Sequence, residues 1–523
     1  MKAFFIFFTF IFLQSALFSK PDSLRLFSFN DIFPHSEFEA NKFKMLASDA
    51  AVDYFKMAMA TDANMAQELA ENEHSRFYGF LEEVRKNKRY ASKPRQQVKF
   101  VFKAIHDQYF KLYDPSAPLF SEIFSSGRFN CLTASMLYAL AFDHLEIPYE
   151  IIQQPQHVYL LAYPTQGAIV VETTNPLKGA TLLIDSRSKS RAVQDLINSK
   201  LVSAEEVNIK GIDRVYTEYY LSTDTPSLHQ LIGSLYFNIS SNFGDRMLFA
   251  DSYEALKKSV VFFPKRLVYG LMIVNGATYL SMETNDFPTI CRITTDFERF
   301  NIFTVSNRML IEQGQINLTN ALQQEGIKKY DEAFKCLESG FTNPNILQEI
   351  SYFYYYNRGI ENYRKMKLKD ALTDFDHSIP HAKDDNTPGM LMLEIIRKEI
   401  ASNISPPRVY DYLLNCKQDF VHLNDIQEFR NMLQYSAIDM VKYHIERSNF
   451  AKADEMRKLF DSQFNPEEVT DHYVLNYLDA AYSTAALLFY RNNQKVRAKA
   501  IIDSGLKYVP DSYDLQTKKK ALR

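Results

Sequence analysis

Apolar residues recur at helical spacing along most of the chain, and one internal stretch departs from that pattern. Residues 20–90 read as helices, with Met, Ala, Glu and Lys abundant from Phe43 to Lys86. A charged stretch that contains a proline follows at 86–97, and we place the first domain boundary there. From residue 213 to the end the helical spacing returns. The pattern therefore predicts a protein that is mainly α-helical.

The middle of the chain, which we bound at residues 91–212, changes from helical spacing to alternation. The segment Cys131–Leu145 contains Leu, Met, aromatic and small residues without Gly or Pro, which predicts a largely buried helix. Three shorter apolar segments follow, with Pro or Gly between them, and we predict them as strands: Tyr149–Gln153, His157–Tyr163 and Ala168–Thr173. Helices followed by a run of strands indicate an α+β domain.

Small residues recur at matching intervals in the C-terminal region, 213–523. Repeats of about 34 residues that form helix pairs need small residues where the two helices cross, and they tolerate Pro after the second helix. Four copies follow this pattern: Ala486, Ala498, Gly505 and Pro510; Ser240, Ser252, Ser259 and Pro264; Ala321, Ala333 and Gly340; and Gly359, Ala371 and Ser378. The stretch Asn403–Gln463 is expected to hold further helix pairs. The sequence thus predicts an all-α helical-repeat array.

The N-terminus has the pattern of a secretory signal. Lys2 precedes the apolar run Ala3–Leu13, and small or polar residues follow up to Ser19. The run is shorter than the roughly 20 apolar residues that a membrane-spanning helix needs. We therefore predict a signal peptide at residues 1–19 and an exported protein, either periplasmic or secreted. Because Leu17 fits the cleavage site poorly, an uncleaved N-terminal anchor is the alternative, and no other transmembrane span is expected.

Composition narrows the classes of function. Apolar residues make up 46% and charged residues 24% of the chain, which is ordinary for a folded globular protein. The net charge of -3 and the lack of a basic stripe argue against nucleic acid as a partner. The histidines are scattered and no glycine-rich phosphate loop occurs, so we expect neither a metal nor a cofactor. The partner that the repeats predict is a protein or a peptide.

Cysteine usage points to one candidate nucleophile. The chain has four cysteines, too few for a disulfide scaffold, and Cys131 begins the predicted buried helix. At a helix N-terminus, unpaired backbone N–H groups and the helix dipole stabilise a thiolate, which is the nucleophilic form of cysteine. The alternative is a buried structural cysteine. A catalytic Cys131 has to stay free, which leaves an odd number, so at least one other cysteine is also unpaired within the chain.

A histidine and a glutamate fall on neighbouring predicted strands. If residues 164–167 connect the strands as a hairpin, His157 lies opposite Thr174, and Glu172 is its diagonal neighbour on the same face. A carboxylate there can hold the imidazole in the tautomer that accepts the proton of a thiol. The pattern thus offers Cys131, His157 and Glu172 as a catalytic constellation. The alternative is a half-buried histidine on an edge strand beside a solvated glutamate.

Three segments together carry a family resemblance: GRFNCLTASMLYALAFDHLEIPYEI, QHVYLLAY and IVVETTNP. They resemble the core of bacterial transglutaminase-like proteins, whose papain-like fold presents its catalytic residues in the order Cys, His, Asp. By this resemblance, Cys131 is the nucleophile, His157 the base and Glu172 the orienting acid. The fold it implies is an α+β papain-like core followed by an all-α array that resembles tetratricopeptide repeats, a fusion similar to that of bacterial members of the family.

Two features depart from the family pattern. The third residue is Glu172 where the family usually has Asp, and Asp185 is a fallback carboxylate. The chain contains no Trp, so no indole N–H can stabilise an oxyanion. The backbone N–H of Cys131 can supply one donor. Candidates for another donor are Asn130, Gln156, Tyr109 and Tyr113.

Two hypotheses of different classes follow. The leading one is an exported thiol enzyme, a cysteine protease, amidase or acyltransferase, in which Cys131 attacks an amide or peptide carbonyl. The repeats then bind a protein or peptide. The alternative is a catalytically inactive scaffold for protein–protein interactions in the cell envelope, which the replacement of Asp by Glu and the missing Trp favour. Contact among the sulfur, the imidazole and the acid is the geometry that the enzyme requires.

Overall fold

The protein is mainly α-helical, as the sequence predicted. The computed structural model describes residues 25–47, 52–154, 157–173, 180–181, 190, 193, 204–215, 225–282, 284, 286–302, 305–402, 405–463, 466–469 and 472–522. The predicted signal peptide at 1–19 therefore lies outside the described residues. The chain divides into two compact units, which separate between Thr284 and Asn285.

The first unit begins with helices whose start points follow from local sequence. After a 3₁₀-helix at Phe29–Asp31 come α1 (Glu37–Ala47), α2 (Tyr54–Met59), α3 (Gln67–Lys86) and α4 (Pro94–Tyr109). Asp53 accepts a hydrogen bond from the backbone N–H of Lys56 and so caps α2, while Pro94 occupies the first position of α4. The rings of Phe55 and Phe77 are buried and stack on one another, which fixes α2 against α3.

Two short strands and one buried helix follow. They are β1 (Leu112–Tyr113), α5 (Glu122–Ser125), β2 (Arg128–Phe129) and α6 (Cys131–His144). β1 and β2 pair in parallel, with Tyr113 opposite Phe129. Every residue of α6 from Leu132 to Phe142 is buried, as its apolar composition predicted. The helix is therefore the centre of the core in this unit.

The stretch 86–97, where the sequence suggested a boundary, connects helices that both pack in the first unit. Oε1 of Glu82 on α3 is within hydrogen-bond distance of Nε2 of His144, at 2.7 Å. Tyr90 donates its hydroxyl hydrogen to the carbonyl of Leu145, just beyond the end of α6. The N-terminal helices are thus attached directly to the helix that begins at Cys131.

A four-stranded antiparallel sheet lies against α6. Its strands, in order across the sheet, are β3 (Tyr149–Gln154), β4 (His157–Ala162), β5 (Ile169–Val171) and β6 (Ala180–Thr181). Ala162 pairs with Ile169, which confirms the predicted hairpin and its register. Gly167 in the connecting turn has φ 89°, a conformation that glycine adopts without strain. The sheet carries His157 at the start of β4 and Glu172 just after β5.

Further helices complete the first unit: α7 (Ala204–Lys210), α8 (Leu228–Asp245), α9 (Phe249–Phe262) and α10 (Arg266–Leu280). The sequence grouped the last three with the C-terminal repeats, and by packing they lie in the first unit. Gln153 of β3 donates to the hydroxyl of Ser234 on α8 at 3.3 Å. Ser252 of α9 donates to the carbonyl of Ser240 on α8 at 2.8 Å, so small residues occupy this helix crossing as predicted.

The second unit consists of successive helices that pack on their neighbours along the chain. They are α11 (Phe287–Asp296), α12 (Asn307–Glu325), α13 (Ile327–Gly340), α14 (Pro344–Arg364), α15 (Leu368–Ser378), α16 (Thr387–Ala401), α17 (Pro406–Asp419), α18 (Gln427–Glu446), α19 (Phe450–Gln463), α20 (His472–Arg491), α21 (Lys495–Tyr508) and α22 (Tyr513–Ala521). Short 3₁₀-helices occur at Phe297–Ile302, Ile379–His381, Val421–Asp425 and Pro466–Glu468. The helices α17 to α19 confirm the helical assignment of the stretch Asn403–Gln463.

Small residues lie between the paired helices of this unit. A Cβ added to Gly359 would lie 2.7 Å from the ring of Phe375, and one added to Gly505 would lie 2.9 Å from Tyr482. Other predicted small residues are buried as well: Ala321, Ala333, Ala371, Ser378, Ala486 and Ala498. The close approach of the helices explains why the sequence keeps small residues at these intervals.

Cysteine pairing agrees with the expectation that Cys131 is not alone in being unpaired. Cys291 of α11 and Cys336 of α13 form a disulfide, while Cys131 and Cys416 are free thiols. Burial raises the pKa of the Cys416 thiol to about 11, which keeps it protonated at neutral pH. In the part of the chain that the structure describes, no helix combines the length and apolarity that crossing a bilayer requires.

Candidate functional site

Cys131 is the first residue of α6, and a tight turn leads the chain to it. Gly127 has φ 76°, and a Cβ at this position would lie 2.6 Å from the side chain of Lys111. Glycine is therefore required where the chain turns into β2. Asn130 then adopts an extended conformation and caps the helix. Cys131 is partly exposed, at the helix terminus where the sequence predicted it.

The side chain of Asn130 is used to cap the N-terminus of α6. Its side-chain oxygen accepts hydrogen bonds from the backbone N–H groups of Leu132 and Thr133, and its Nδ2 donates to the carbonyl of Ala117 at 2.7 Å. The hydroxyl of Thr133 accepts from the Asn130 backbone N–H, which completes a capping box. Asn130 is only 3% exposed. These bonds assign it to the cap and not to the oxyanion site that the sequence suggested.

His157 and Glu172 meet as the hairpin register predicted. Nε2 of His157 lies 2.9 Å from Oε2 of Glu172. Their side chains are 30% and 23% exposed, so the pair is largely shielded from solvent. Glutamate is one methylene longer than aspartate, and here its carboxylate reaches the imidazole.

The thiol of Cys131 also interacts with the imidazole of His157, and this interaction is among the causes that raise the pKa of the ring. Because Nε2 contacts the carboxylate of Glu172, Nδ1 is the ring nitrogen that remains available to the sulfur. Burial lowers the pKa of His157, but the hydrogen bonds and charges of Cys131 and Glu172 outweigh burial and raise this pKa to about 9. At neutral pH the ring is therefore protonated and can donate a hydrogen to each of its two neighbours.

The two tyrosines named as oxyanion donors occupy different surroundings. Tyr113 is 45% exposed, and its pKa is raised first by partial burial and then by the charges of Cys131 and Glu172, which places its phenol within electrostatic reach of both. Tyr109 instead packs its ring against a cluster of phenylalanines, Phe77, Phe80 and Phe124. Burial among these rings raises the pKa of Tyr109 to about 12. The structure therefore favours Tyr113 over Tyr109 as a donor.

Two other sequence candidates, Gln156 and Asp185, lie outside the described residues. One pair of residues escaped the sequence analysis altogether. Ser135 of α6 and Thr173 after β5 are both buried and form a hydrogen bond between their hydroxyls. A serine in the mostly apolar stretch of the helix, four positions after the candidate nucleophile and so on the same side, was the signal that could have identified Ser135.

The arrangement places a hydrogen-bonded imidazole and carboxylate within interaction range of a thiol at the end of a helix. Such an arrangement can hold a thiolate beside a proton donor, which is the requirement for nucleophilic attack followed by protonation of a leaving group. Within the described ranges, no group of three His, Cys, Asp or Glu residues is arranged to hold a metal ion. Comparisons of the chain with protein-family models, with curated proteins and with solved structures gave no match.

Proposed function

We propose that this chain is an exported thiol enzyme of the transglutaminase-like type, with Cys131 as nucleophile, His157 as acid and base, and Glu172 as the orienting carboxylate. The hydrogen bond of His157 with Glu172, together with the interaction of the same ring with Cys131, carries this proposal. A papain-like core is supported by a helix that begins at Cys131 and packs against an antiparallel sheet bearing the other two residues. The alternative scaffold hypothesis drew on the replacement of Asp by Glu, and Glu172 reaches the imidazole nevertheless.

The reaction class is acyl transfer from an amide. The Cys131 thiolate attacks the carbonyl carbon, and His157 donates its Nδ1 proton to the nitrogen as the C–N bond breaks. This step releases an amine and leaves a thioester on Cys131 with neutral His157. Water or a second amine then gives a proton to His157 while its oxygen or nitrogen attacks the thioester, and the C–S bond breaks to restore the thiolate. Glu172 keeps its charge throughout and stabilises the imidazolium.

Stabilisation of the oxyanion falls to groups at the helix end. Asn130 accepts from the N–H groups of Leu132 and Thr133, whereas the N–H of Cys131 stands first in the helix, where no intrahelical acceptor exists. Tyr113 supplies the second donor in this proposal, and the support for it is that the charge of Cys131 acts on the pKa of its phenol. A backbone N–H and a hydroxyl together replace the indole N–H that a chain without Trp lacks.

The C-terminal helix pairs serve, in this proposal, as a tetratricopeptide-like array that binds a protein or peptide. Successive helix pairs create an extended surface that suits an extended partner. The disulfide between Cys291 and Cys336 supports the proposed export, since structural disulfides persist in oxidising compartments. The partner can be the acyl donor itself or a protein that localises the enzyme.

The test is covalent labelling with a thiol-reactive acyl probe on the full chain. The wild type is expected to carry one acyl group on the peptide that contains Cys131, and Cys131→Ala is expected to carry none. Cys416→Ala is the matched control, because it removes the other free thiol, which is buried, and labelling should persist. Equal labelling of Cys131→Ala and wild type, with both folded by circular dichroism, would remove Cys131 as the nucleophile.

A further inference from the structure

A buried hydroxyl pair joins the helix that carries Cys131 to the two segments that carry its partners. Ser135 follows Cys131 by one helical turn and so lies on the same side of α6. Its hydroxyl donates to the backbone carbonyl of Val158 at 2.9 Å. The same oxygen lies 3.3 Å from the hydroxyl of Thr173. Because the only hydrogen of the serine hydroxyl goes to the carbonyl, Thr173 is the donor in this second bond.

The positions of these contacts relate directly to the site. Val158 is the neighbour of His157, and Thr173 is the neighbour of Glu172. The pairing of β4 with β5 extends from Ala162 and Ile169 to Leu160 and Val171. Continuing this register by two residues places Val158 opposite Thr173, beyond the last paired residues. Ser135 therefore bridges the two segments at the point where the ladder between them ends.

We propose that Ser135 and Thr173 are positioning residues that hold His157 and Glu172 against each other and against Cys131. The catalytic role of the positioned residues rests on the proposed function, but the geometry that Ser135 and Thr173 maintain is independent of any substrate. Ser135 and Thr173 are both 0% exposed, so water does not compete for their hydrogen bonds. A buried hydroxyl deprived of its partner would carry an unsatisfied polar group, which fixes both side chains in this arrangement.

The hydrogen bonds of Ser135 limit how far the segments that carry His157 and Glu172 can move relative to α6. The start of β4 is paired with β3, but the ladder between β4 and β5 ends before Thr173. Without ladder bonds, the segment of Glu172 and Thr173 is free to move away from β4, and a shift of about 1 Å can cost on the order of a hundredfold in rate. The bond from Ser135 to the Val158 carbonyl fixes the backbone next to His157 relative to the N-terminus of α6. The bond from Thr173 sets the backbone of Glu172 relative to the same hydroxyl. One side chain thus relates all three catalytic residues to each other.

The experiment compares variants that remove one hydroxyl with variants that keep it. Thr173→Val preserves shape and loses the hydroxyl, whereas Thr173→Ser keeps the hydroxyl. Ser135→Ala removes the central member of the bridge. Each change is made in the full chain with Cys416→Ala, so that Cys131 is the only free thiol. The readouts are the pKa of His157 by NMR of its ring carbons and the rate of Cys131 alkylation by iodoacetamide at neutral pH.

Thr173→Val and Ser135→Ala are expected to lower the pKa of His157 from about 9 and to slow alkylation by about tenfold. Thr173→Ser is expected to match the parent protein in both readouts. Ser252→Ala is the matched control, because it removes a buried hydroxyl that also donates to a carbonyl of a neighbouring helix, away from Cys131. It should lower thermal stability and leave both readouts unchanged.

The proposal is overturned if Thr173→Val and Ser135→Ala lose thermal stability as Ser252→Ala does while the pKa of His157 and the alkylation rate stay at parent values. Thr173→Val keeps this test available should Ser135→Ala fail to fold, because threonine and valine have the same shape. Neither readout needs an amide substrate. Failure to find acyl transfer would therefore contradict the proposed function and leave this inference intact. Unchanged readouts in the hydroxyl variants, with acyl transfer observed in the wild type, would contradict this inference and leave the proposed function intact.

Discussion

At the scale of single residues, the protonation of His157 decides what the site can do. Burial alone would favour a neutral imidazole, which is a poor proton donor. The interactions with Cys131 and Glu172 reverse that preference and bring the pKa of His157 to about 9. The ring is then charged at neutral pH, beside a sulfur on one side and a carboxylate on the other. This is the protonation state that delivers a proton to a leaving amine.

Replacing Glu172 with Gln is expected to lower the pKa of His157. Gln keeps a hydrogen-bond acceptor near Nε2 but removes the negative charge that favours the imidazolium. The measurement is an NMR titration of the His157 ring in wild type and variant. Glu150→Gln, an exposed position on β3 of the same sheet, is the control and should leave the titration unchanged. A pKa that stays at about 9 in Glu172→Gln would show that the carboxylate does not support the ring.

The rate of acylation by an amide is expected to fall as the pH rises through about 9. A group whose pKa is raised keeps its proton below that value and loses it above, so the proton for the leaving amine disappears over this range. The measurement is the pH dependence of the acylation rate. A thioester donor, whose leaving group needs no proton, is the control and should show no such fall. An amide profile that keeps rising beyond pH 10 would contradict the role of His157 as acid.

At the scale of elements, the sequence pattern predicted those helices and strands whose formation depends on residues close together in the chain. The apolar composition of α6 predicted a buried helix, and the predicted connection at residues 164–167 gave the observed register, although β4 ends at Ala162 and β5 begins at Ile169. The role of Asn130 and the choice between Tyr109 and Tyr113 were not predictable in this way. They depend on which side chains arrive from elsewhere in the chain, such as the carbonyl of Ala117 or the rings around Tyr109. The contact of Ser135 with Thr173 has the same origin.

The helix crossings of the second unit give a test of packing. Gly359→Ala is expected to destabilise this unit by about 1–2 kcal/mol, because the new methyl group would lie 2.7 Å from the buried Phe375 ring and overpacking outweighs the gain in helix propensity. Gly79→Ala in α3 is the matched control, since nothing lies within 4 Å of its added Cβ, and it should stabilise its helix. Hydrogen exchange of α14 and α3 measures both effects. Equal signs for the two variants would contradict the packing assigned to Gly359.

At the scale of the whole molecule, the chain combines two compact units with different internal order. The first has a helix and sheet that join His157 to Glu172 by a hydrogen bond and bring Cys131 within interaction range of His157. The second has helix pairs in sequence and the disulfide of Cys291 and Cys336. The small-residue spacing identified the pairs but not the boundary between the units, because α8 and α9 share the spacing and pack in the first unit.

Reduction of the disulfide is expected to destabilise the second unit and to leave the first unchanged. The bridge closes a sequence separation of 45 residues, for which loop entropy predicts a loss of about 4 kcal/mol. Hydrogen exchange with and without a reductant measures the stability of each unit. A thiol count in denaturant gives the control, with two reactive thiols before reduction and four after. Loss of protection confined to the first unit would contradict this assignment.

The central claim is that Cys131 and His157 act as one reactive pair, and the rate of Cys131 alkylation tests it most directly. Iodoacetamide is applied at neutral pH to two full-length proteins, one with Cys416→Ala alone and one with Cys416→Ala and His157→Ala. The pair predicts that loss of the imidazole slows alkylation by more than about tenfold, because the thiolate loses the charge that stabilises it. Equal rates with and without His157, in proteins of equal stability, would contradict the claim.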